Sequence, residues 1–416
     1  MLRLSGGQVE SLWDEVLPGE VKELPEDLAA LNVLLSDRRL LEPIAADWRR
    51  EAVCHGRPSI PMDVYVRLMI VEARTGWGYE TLVREVSDSL HLRRFCLIAL
   101  GERVPHESTV RKLTRRLGGG VVEDLTRYVI AKAQHETRFR ARAVRIDSTV
   151  VEADVRYPSD AALSLDGART LAREARKLTG LIGKDAGRVR DRSRALGRHL
   201  RAISRTMGRR TGERKAQVLA LTDQAGQLLR RSISEARRMV ATARRRAHGR
   251  GAQRKLAAIS SLEQAADRPE RVAAQIKLRI EGKPITDRLV SMFDPDARPI
   301  RKGKLGKPNE FGYVLQICEV TAHTRRGARG FILPASTAPG NPPESKLLPD
   351  TTGELERLAP ERVFIAGRQQ PGSRRTQRRL ARYRTGAEGR TSHLKRSYGL
   401  RRSRLKGAPG VRAWSA

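Results

Sequence analysis

The long stretch from Asp166 to about Asp287 carries almost no strand signal, although strand-like segments stand on both sides of it. Inside it Leu196, Leu200, Ile203 and Met207 recur at steps of 4, 3 and 4. Leu221, Leu228, Ala236, Val240 and Ala243 extend the stripe after the break at "GRRTGERK". Apolar residues at that period line one face of a helix, so the spacing predicts a long helical hairpin. Before it, "RARAVRIDSTVVEADVRYP" is enriched in β-branched residues, with Val144, Ile146, Thr149 and Val151, and reads as a strand or hairpin. After it, "EFGYVLQICEVT" and "RGFILPAS" read as a hairpin around "AHTRRGA". A helix-like "ESKLLPDTTGELERLAP" and the apolar run "ERVFIAG" follow. Strands that flank a helical block imply one mixed α/β domain interrupted by an insertion.

The segment N-terminal to these strands is helical in pattern from about Val21 to Gly118. Val64, Leu68, Ile70 and Val71 recur near helical spacing, as do Leu82, Val86 and Leu90 after the "TGWGY" turn. In "VPHESTVRKLTRRLGGG", Ser108 precedes a basic segment with Val110, Leu113 and Leu117 on one face, and three glycines close it. Two readings stand: a helix-turn-helix, or a small bundle with solvated Arg and Lys. The expected organisation is therefore an all-α N-terminal DNA-binding domain over 1–140, an α/β core split into 141–165 and 288–416, and an Arg-rich helical insertion over 166–287.

Charge narrows the partner. The 82 Lys and Arg outnumber the 47 Asp and Glu, for a net charge of +35 in 416 residues. That excess goes far beyond the needs of solubility and points to a polyanion, of which nucleic acid is the simplest. Aromatic residues make up only 4%, so phosphate contacts are favoured over base stacking. The insertion's arginines, as in "RRMVATARRRAHGRGAQRK", are either a solvated face or part of that anion-binding surface. Cys54, Cys96 and Cys318 are far apart and form no CxxC pair, which argues against a disulfide framework or zinc site and for burial as small apolar residues. No apolar run is long enough to span a membrane and the N-terminus lacks a signal-peptide core, so a cytoplasmic, nucleoid-associated protein is expected.

In so basic a chain the acidic residues stand out. Asp147 lies within an apolar strand, where a carboxylate must be desolvated and needs a cation or hydrogen bonds. It is either a site residue or half of a structural ion pair. Glu388 sits among cations in "RTGAEGRTSHLKRSYGLRRSRLKG". If that segment is helical, Arg384, four residues before it, and Lys395, seven after, share its face. Metal-assisted phosphodiester chemistry uses carboxylates to hold divalent ions, with cations gripping the phosphates. The alternative is an i,i+4 Arg–Glu surface pair.

These motifs resemble bacterial insertion-sequence transposases of the DDE type. "RIDSTVVEADVRYPSD", "GNPPESKLLPD" and the Glu388 segment carry the likeness, and "GRPSIPMDVYVRLMIVEARTGWGYETLVREV" resembles the helical N-terminal region of that family. Arg384, Glu388 and Lys395 reproduce an Arg, three residues, Glu, six residues, Lys signature; Ala381 stands where a Tyr often opens it. The resemblance implies an RNase H-like core that cuts and joins DNA at terminal inverted repeats, acting as a homodimer on duplex DNA with Mg²⁺ or Mn²⁺. It makes Asp147 and Glu388 the first and last catalytic, metal-binding carboxylates. Arg384, Arg390, His393, Lys395 and Arg396 become the DNA contacts.

The middle Asp of that family has no counterpart. It would follow a strand after the "GN" motif, and "GELERLAPERVFIAGRQQPGSRRTQRR" crosses the interval without one. Ala366 or Gly367 occupies its place, or a strand–helix piece between Leu358 and Glu361 is deleted, the version favoured here. Asp350 and Glu356 are weak substitutes on an expected helix. The segment "GAPGVRAWSA" also ends where such proteins continue with another apolar helix, so Trp414 is expected to lack a packing partner. Two functions follow from different classes: a DNA-cleaving transposase, or a DNA-binding remnant without chemistry. A basic RNA- or ribosome-associated protein leaves the placement of Asp147 and Glu388 unexplained.

Overall fold

The computed structural model describes residues 2–6, 15–50, 58–206, 211–249, 251–301, 309–358, 364–365 and 373–415. The chain forms two compact units. The first comprises Met1–Glu152, Tyr313–Ala338 and Pro342–Ala416, and the second Ala153–Gly312 and Pro339–Asn341.

The first unit opens with helices α1 (Glu26–Leu35), α2 (Glu42–Arg50), α3 (Met62–Thr75), α4 (Tyr79–Asp88), α5 (Leu90–Phe95) and α6 (Glu107–Thr137). Their shared core holds Leu68, Leu82, Val86 and Phe95 with no exposed surface, and Val64 and Val71 nearly so. Burying each such side chain stabilises the fold by about 1.5–3 kcal/mol relative to exposure. The apolar spacing therefore marked the inward face correctly except at Leu90, which is 39% exposed. The expected N-cap of α6 differs too. His106 caps it, its ring nitrogen accepting from the Ser108 N–H at 3.2 Å, because the helix begins at Glu107 and leaves Ser108 inside the first turn. The glycine run does not close this helix. Gly118, at φ 63 and ψ −170, kinks it, and a second segment continues to Thr137.

Strand β1 (Ala143–Ala153) follows, and β3 (Asn309–Thr321), β4 (Gly330–Ile332), β5 (Ser336–Pro339), β6 (Phe364–Ile365) and β7 (Arg402–Ser403) complete the sheet strands of this region. The order is β3-β1-β6, with β4 and β5 on β3 and β7 on β1. The Arg142 N–H donates to the Thr321 carbonyl at 3.0 Å and Arg145 meets Glu319, so β1 and β3 advance in opposite senses. β6 instead lies parallel to β1, pairing Ala143 with Phe364 and Val144 with Ile365. Helix α11 (Leu348–Leu358) packs Leu355 into a core with Val144, Cys318, Val320 and Leu333.

Helices α12 (Arg374–Ser397) and α13 (Gly407–Ser415) end the chain. α13 packs on α6. Val411 is fully buried and Arg412 pairs with the buried Glu123. Trp414, expected to lack a partner, is half-buried and rests 3.4 Å from where a side chain on Gly399 would begin.

The second unit is built on α7 (Asp160–Ile182), α8 (Ser193–Thr206), α9 (Gly212–Arg244) and α10 (Ala252–Ile280). The expected hairpin is thus four helices, and the first starts at Asp160 because Ser159 caps it, accepting from the Ala162 N–H at 3.2 Å. α9 has 33 residues and is about 50 Å long at 1.5 Å per residue. Leu171, Leu196, Leu229 and Leu262 are fully buried in the common core, while Arg237, Arg244 and Arg246 form ion pairs on the outside. Met207 lies outside the described residues. Buried Asp160 meets Arg279 at 2.6 Å and accepts from Gln275 at 3.0 Å. Strand β2 (Arg298–Arg301) pairs antiparallel with the first residues of β3, from Arg298 opposite Gly312 to Arg301 opposite Asn309.

Among the described residues no helix is long and apolar enough to cross a membrane. Cys96 and Cys318 are buried and free; Cys54 lies outside the described residues.

Candidate active site

The sheet of the first unit carries Asp147 in the middle of β1, half-buried between the fully packed ends of the strand. Opposite it runs α12, which starts where the Ser373 hydroxyl accepts from the Thr376 N–H. Leu380, Tyr383 and Ala387 recur at steps of 3 and 4 and are the buried face of this helix. Arg384 and Glu388 are exposed on it, and Lys395 is half-buried.

A buried charge cluster fixes α12 to the sheet. Glu319 on β3 is 1% exposed. Arg145 on β1, 5% exposed, donates from Nε to its Oε2 at 2.8 Å. Arg390 on α12 reaches the other oxygen at 2.7 Å, and the Gly330 N–H donates to it at 3.1 Å. Arg145 uses its remaining nitrogens on main-chain carbonyls, donating to Tyr383 at 3.1 Å and to Ala328 at 3.0 Å. The Tyr383 hydroxyl lies 2.6 Å from the Thr321 hydroxyl. Every charge here has a partner, the condition under which buried ions are tolerated. Gly386 follows from the same geometry, since any side chain there would overlap the Arg145 guanidinium.

The charges that act on Asp147 come from distant parts of the sequence. Burial raises the Asp147 carboxyl above its ordinary range. The Ser148 N–H and the Arg384 guanidinium pull it down, and the charges of Glu344 and Glu388 push it up. Glu388, 241 positions away in sequence, and Arg384 thus both act on Asp147. Glu344 is the residue that sequence reasoning missed. It opens a short 3-10 turn directly after "GNPP" and is exposed. The signal was an acidic residue inside a motif already set apart, hidden because nothing local ties it to Asp147.

The other expected site residues divide. Arg390 is engaged by Glu319, as described. His393 is exposed, edge-on to Tyr398 at 5.4 Å, and Arg396 is exposed with Nε 3.4 Å from the Ser392 carbonyl. Ala381 is exposed, whereas Tyr383, two residues on, is buried. Asp350 and Glu356 are exposed on α11, and Asp350 lies near Arg412 rather than Asp147. Ala366, Gly367 and the interval between Leu358 and Glu361 fall outside the described residues, while β6 between them pairs with β1.

Among the described residues, no group of three or more His, Cys, Asp or Glu side chains is placed to hold a metal ion. Carboxylates near Asp147 have the oxygen chemistry that a hard divalent cation takes, but they do not converge into a ligand set.

Residues 20–116 match a family described as a transposase domain (DUF772). The span covers α1 to α5 and the first turns of α6. No curated protein and no solved structure matches the chain.

Proposed function

We propose that this protein is a DDE-type transposase that binds transposon-end DNA and carries its strand-cleaving centre at Asp147 and Glu388. The observation that carries this reading is that the Arg145–Glu319–Arg390 contacts fix α12, with Arg384 and Glu388, to the sheet that holds Asp147, whose carboxyl feels both charges. In a chain with a net charge of +35, acidic side chains that act on Asp147 from α12 and from the turn at Glu344 need a reason, and phosphodiester chemistry supplies one. Strand β6, parallel to β1 and just before the Glu-bearing helix, accords with an RNase H-like core. Glu344 takes the part of the third carboxylate. Arg384 and Lys395 hold phosphates beside the acidic residues; the helices matched to the transposase domain recognise the terminal repeats, as a helix-turn-helix would, in a homodimer on DNA.

Mg²⁺ or Mn²⁺ is the cofactor that the resemblance implies. The described carboxylates do not form a ligand set for such an ion. That same observation favours a second reading, a DNA-binding protein without cleavage.

One experiment separates them. Duplex oligonucleotides from the DNA that flanks the gene are incubated with the protein and Mg²⁺ or Mn²⁺, beside Glu388→Gln and Glu344→Gln. Nicking that both variants abolish supports the three-carboxylate centre. Binding without nicking selects the second reading. Affinity that does not fall with salt removes both, since each neutralised phosphate contributes about −0.9 to the log–log slope.

A further inference from the structure

A cavity of about 590 Å³ opens in the first unit between α4, α6 and the 404–414 segment. Its size falls in the range of small-molecule sites, about 300–1,000 Å³. Nothing in the proposed cleavage chemistry uses it.

Its lining combines two chemistries. Arg111, Arg115, Arg404 and Lys406 bring four cations. Arg111 is paired with Glu107, and Glu72 is the acidic group of the lining. Burial pushes the Glu72 carboxyl up to about 7, with Arg404 opposing, so at neutral pH it carries only part of its charge. Guanidinium groups on one lining suit a phosphate, whose oxygens accept forked hydrogen bonds. The N-terminus of α4, where Gly78 offers no side-chain cap, opens on the same space. The second chemistry is aromatic. Tyr79 and Trp414 line the cavity, and the Trp414 indole N–H is buried with no acceptor among the described residues. A buried donor without a partner is costly, and a ligand with a carbonyl or ring nitrogen would satisfy it.

We propose that this cavity binds one nucleotide unit, its phosphate held by Arg404, Arg111 and Arg115 and its base on the aromatic wall of Tyr79 and Trp414. A carboxylate ligand would leave the aromatic wall unused, and an apolar one would leave the cations facing each other. The unit comes either from a free nucleotide or from an unpaired position of a DNA strand. The site does not depend on the cleavage reading.

The test is calorimetric titration of the full chain with dAMP, deoxyadenosine and inorganic phosphate, then with duplexes that are blunt or carry one unpaired nucleotide. dAMP is expected to bind at least about tenfold more tightly than deoxyadenosine or phosphate, a margin that calorimetry resolves. Arg404→Gln and Trp414→Phe should each weaken it about tenfold while leaving the melting temperature unchanged; should either fail to fold, Lys406→Gln serves as the rim variant. Preference for the unpaired duplex over the blunt one, lost in Arg404→Gln, without dAMP binding would also support the site and assign the strand as source. Equal binding of phosphate and dAMP would overturn the proposal, leaving a bare anion site. Binding of blunt and unpaired duplexes alike, with no response to dAMP, would overturn it too while sparing the DNA-binding reading. Binding of dAMP without any duplex binding would uphold the cavity and sink that reading.

Discussion

One helix of the first unit and the four of the second are held mainly by different means. In the first unit, α12 is tied to its sheet by largely buried charge, Glu319 between the buried Arg145 and the half-buried Arg390. In the second, α7 to α10 meet through leucine and alanine, and most of their ion pairs lie outside, as with Arg244 and Glu263, whose side chains are 57% and 35% exposed. Apolar stripes bind helices strongly but leave their rotation and register tolerant of repacking. A buried ion cluster is less forgiving, since any shift leaves a charge unpaired. The first arrangement holds Glu388 and Arg384 at a set position on α12; the second gives an apolar scaffold.

The largest expected effect follows from removing the shared carboxylate. Glu319→Ala leaves the buried Arg145 guanidinium and the half-buried Arg390 guanidinium without their carboxylate and should destabilise the first unit by about 3–5 kcal/mol. Urea denaturation read by circular dichroism measures it. A loss below about 1 kcal/mol would show that water reaches the cluster and that the contrast between the units is false.

The pH response should divide the units next. Glu72, in the first unit, has its folded value raised from 4.5 to about 7, mainly by burial. Its favourable contribution is complete below the unfolded value and is lost as pH rises through the folded one, an upper bound of about 3 kcal/mol between pH 4.5 and 7. Arg404 opposes that shift, and Tyr65 and Tyr79 share the surroundings of Glu72. In the second unit the Arg192 guanidinium lowers Glu235, so stability from that pair is present above pH 4.5 and lost as pH falls through the lower folded value. Glu72→Gln should flatten the decline from pH 5 to 7 and leave the acid limb unchanged. An unaltered slope would place the titration elsewhere.

How much of this was legible in the sequence depends on the range of the interaction. Periodicity found the helices around Leu68, Leu82 and Leu196 because each stripe is a local property, and β-branched enrichment found β1 with Asp147 in it. Boundaries were less visible. His106 displaced Ser108 as the cap through a ring nitrogen that composition does not advertise, and Gly118 kinked a helix that it was expected to end. Long-range pairings left no local trace. Arg390 looked like another phosphate contact among many arginines, yet its partner Glu319 lies 71 positions away. Glu344 went unremarked because only the folded sheet brings its charge near Asp147.

Two glycines of "TGAEGR" sharpen the comparison at smaller cost. At Gly386 a methyl group would collide with the guanidinium of Arg145, while at Gly389 nothing lies within 4 Å. Gly386→Ala should therefore cost about 1–3 kcal/mol, as overpacking does, and Gly389→Ala should gain up to about 1 kcal/mol from helix propensity. Equal effects in thermal denaturation would mean that Arg145 moves aside freely. The buried cluster would then be looser than its hydrogen bonds imply.

The smallest expected effect tests the other side of the contrast. Arg244 on α9 reaches Glu263 on α10 at 2.5 Å, a distance that elsewhere would signal a strong pair. Both side chains are open to water, so the Coulomb attraction is screened and ordering two long side chains opposes it. Glu263→Ala should cost about 0.2–1 kcal/mol, and raising the salt concentration should shrink the difference from the unmodified chain further. Urea midpoints at two ionic strengths measure both. A loss comparable to that of Glu319→Ala, persisting in high salt, would mean that the second unit depends on directional charge pairing at its surface as well as at the buried Asp160. Its helices would then be held in register as rigidly as α12, and the division between a positioned helix and an apolar scaffold would fall.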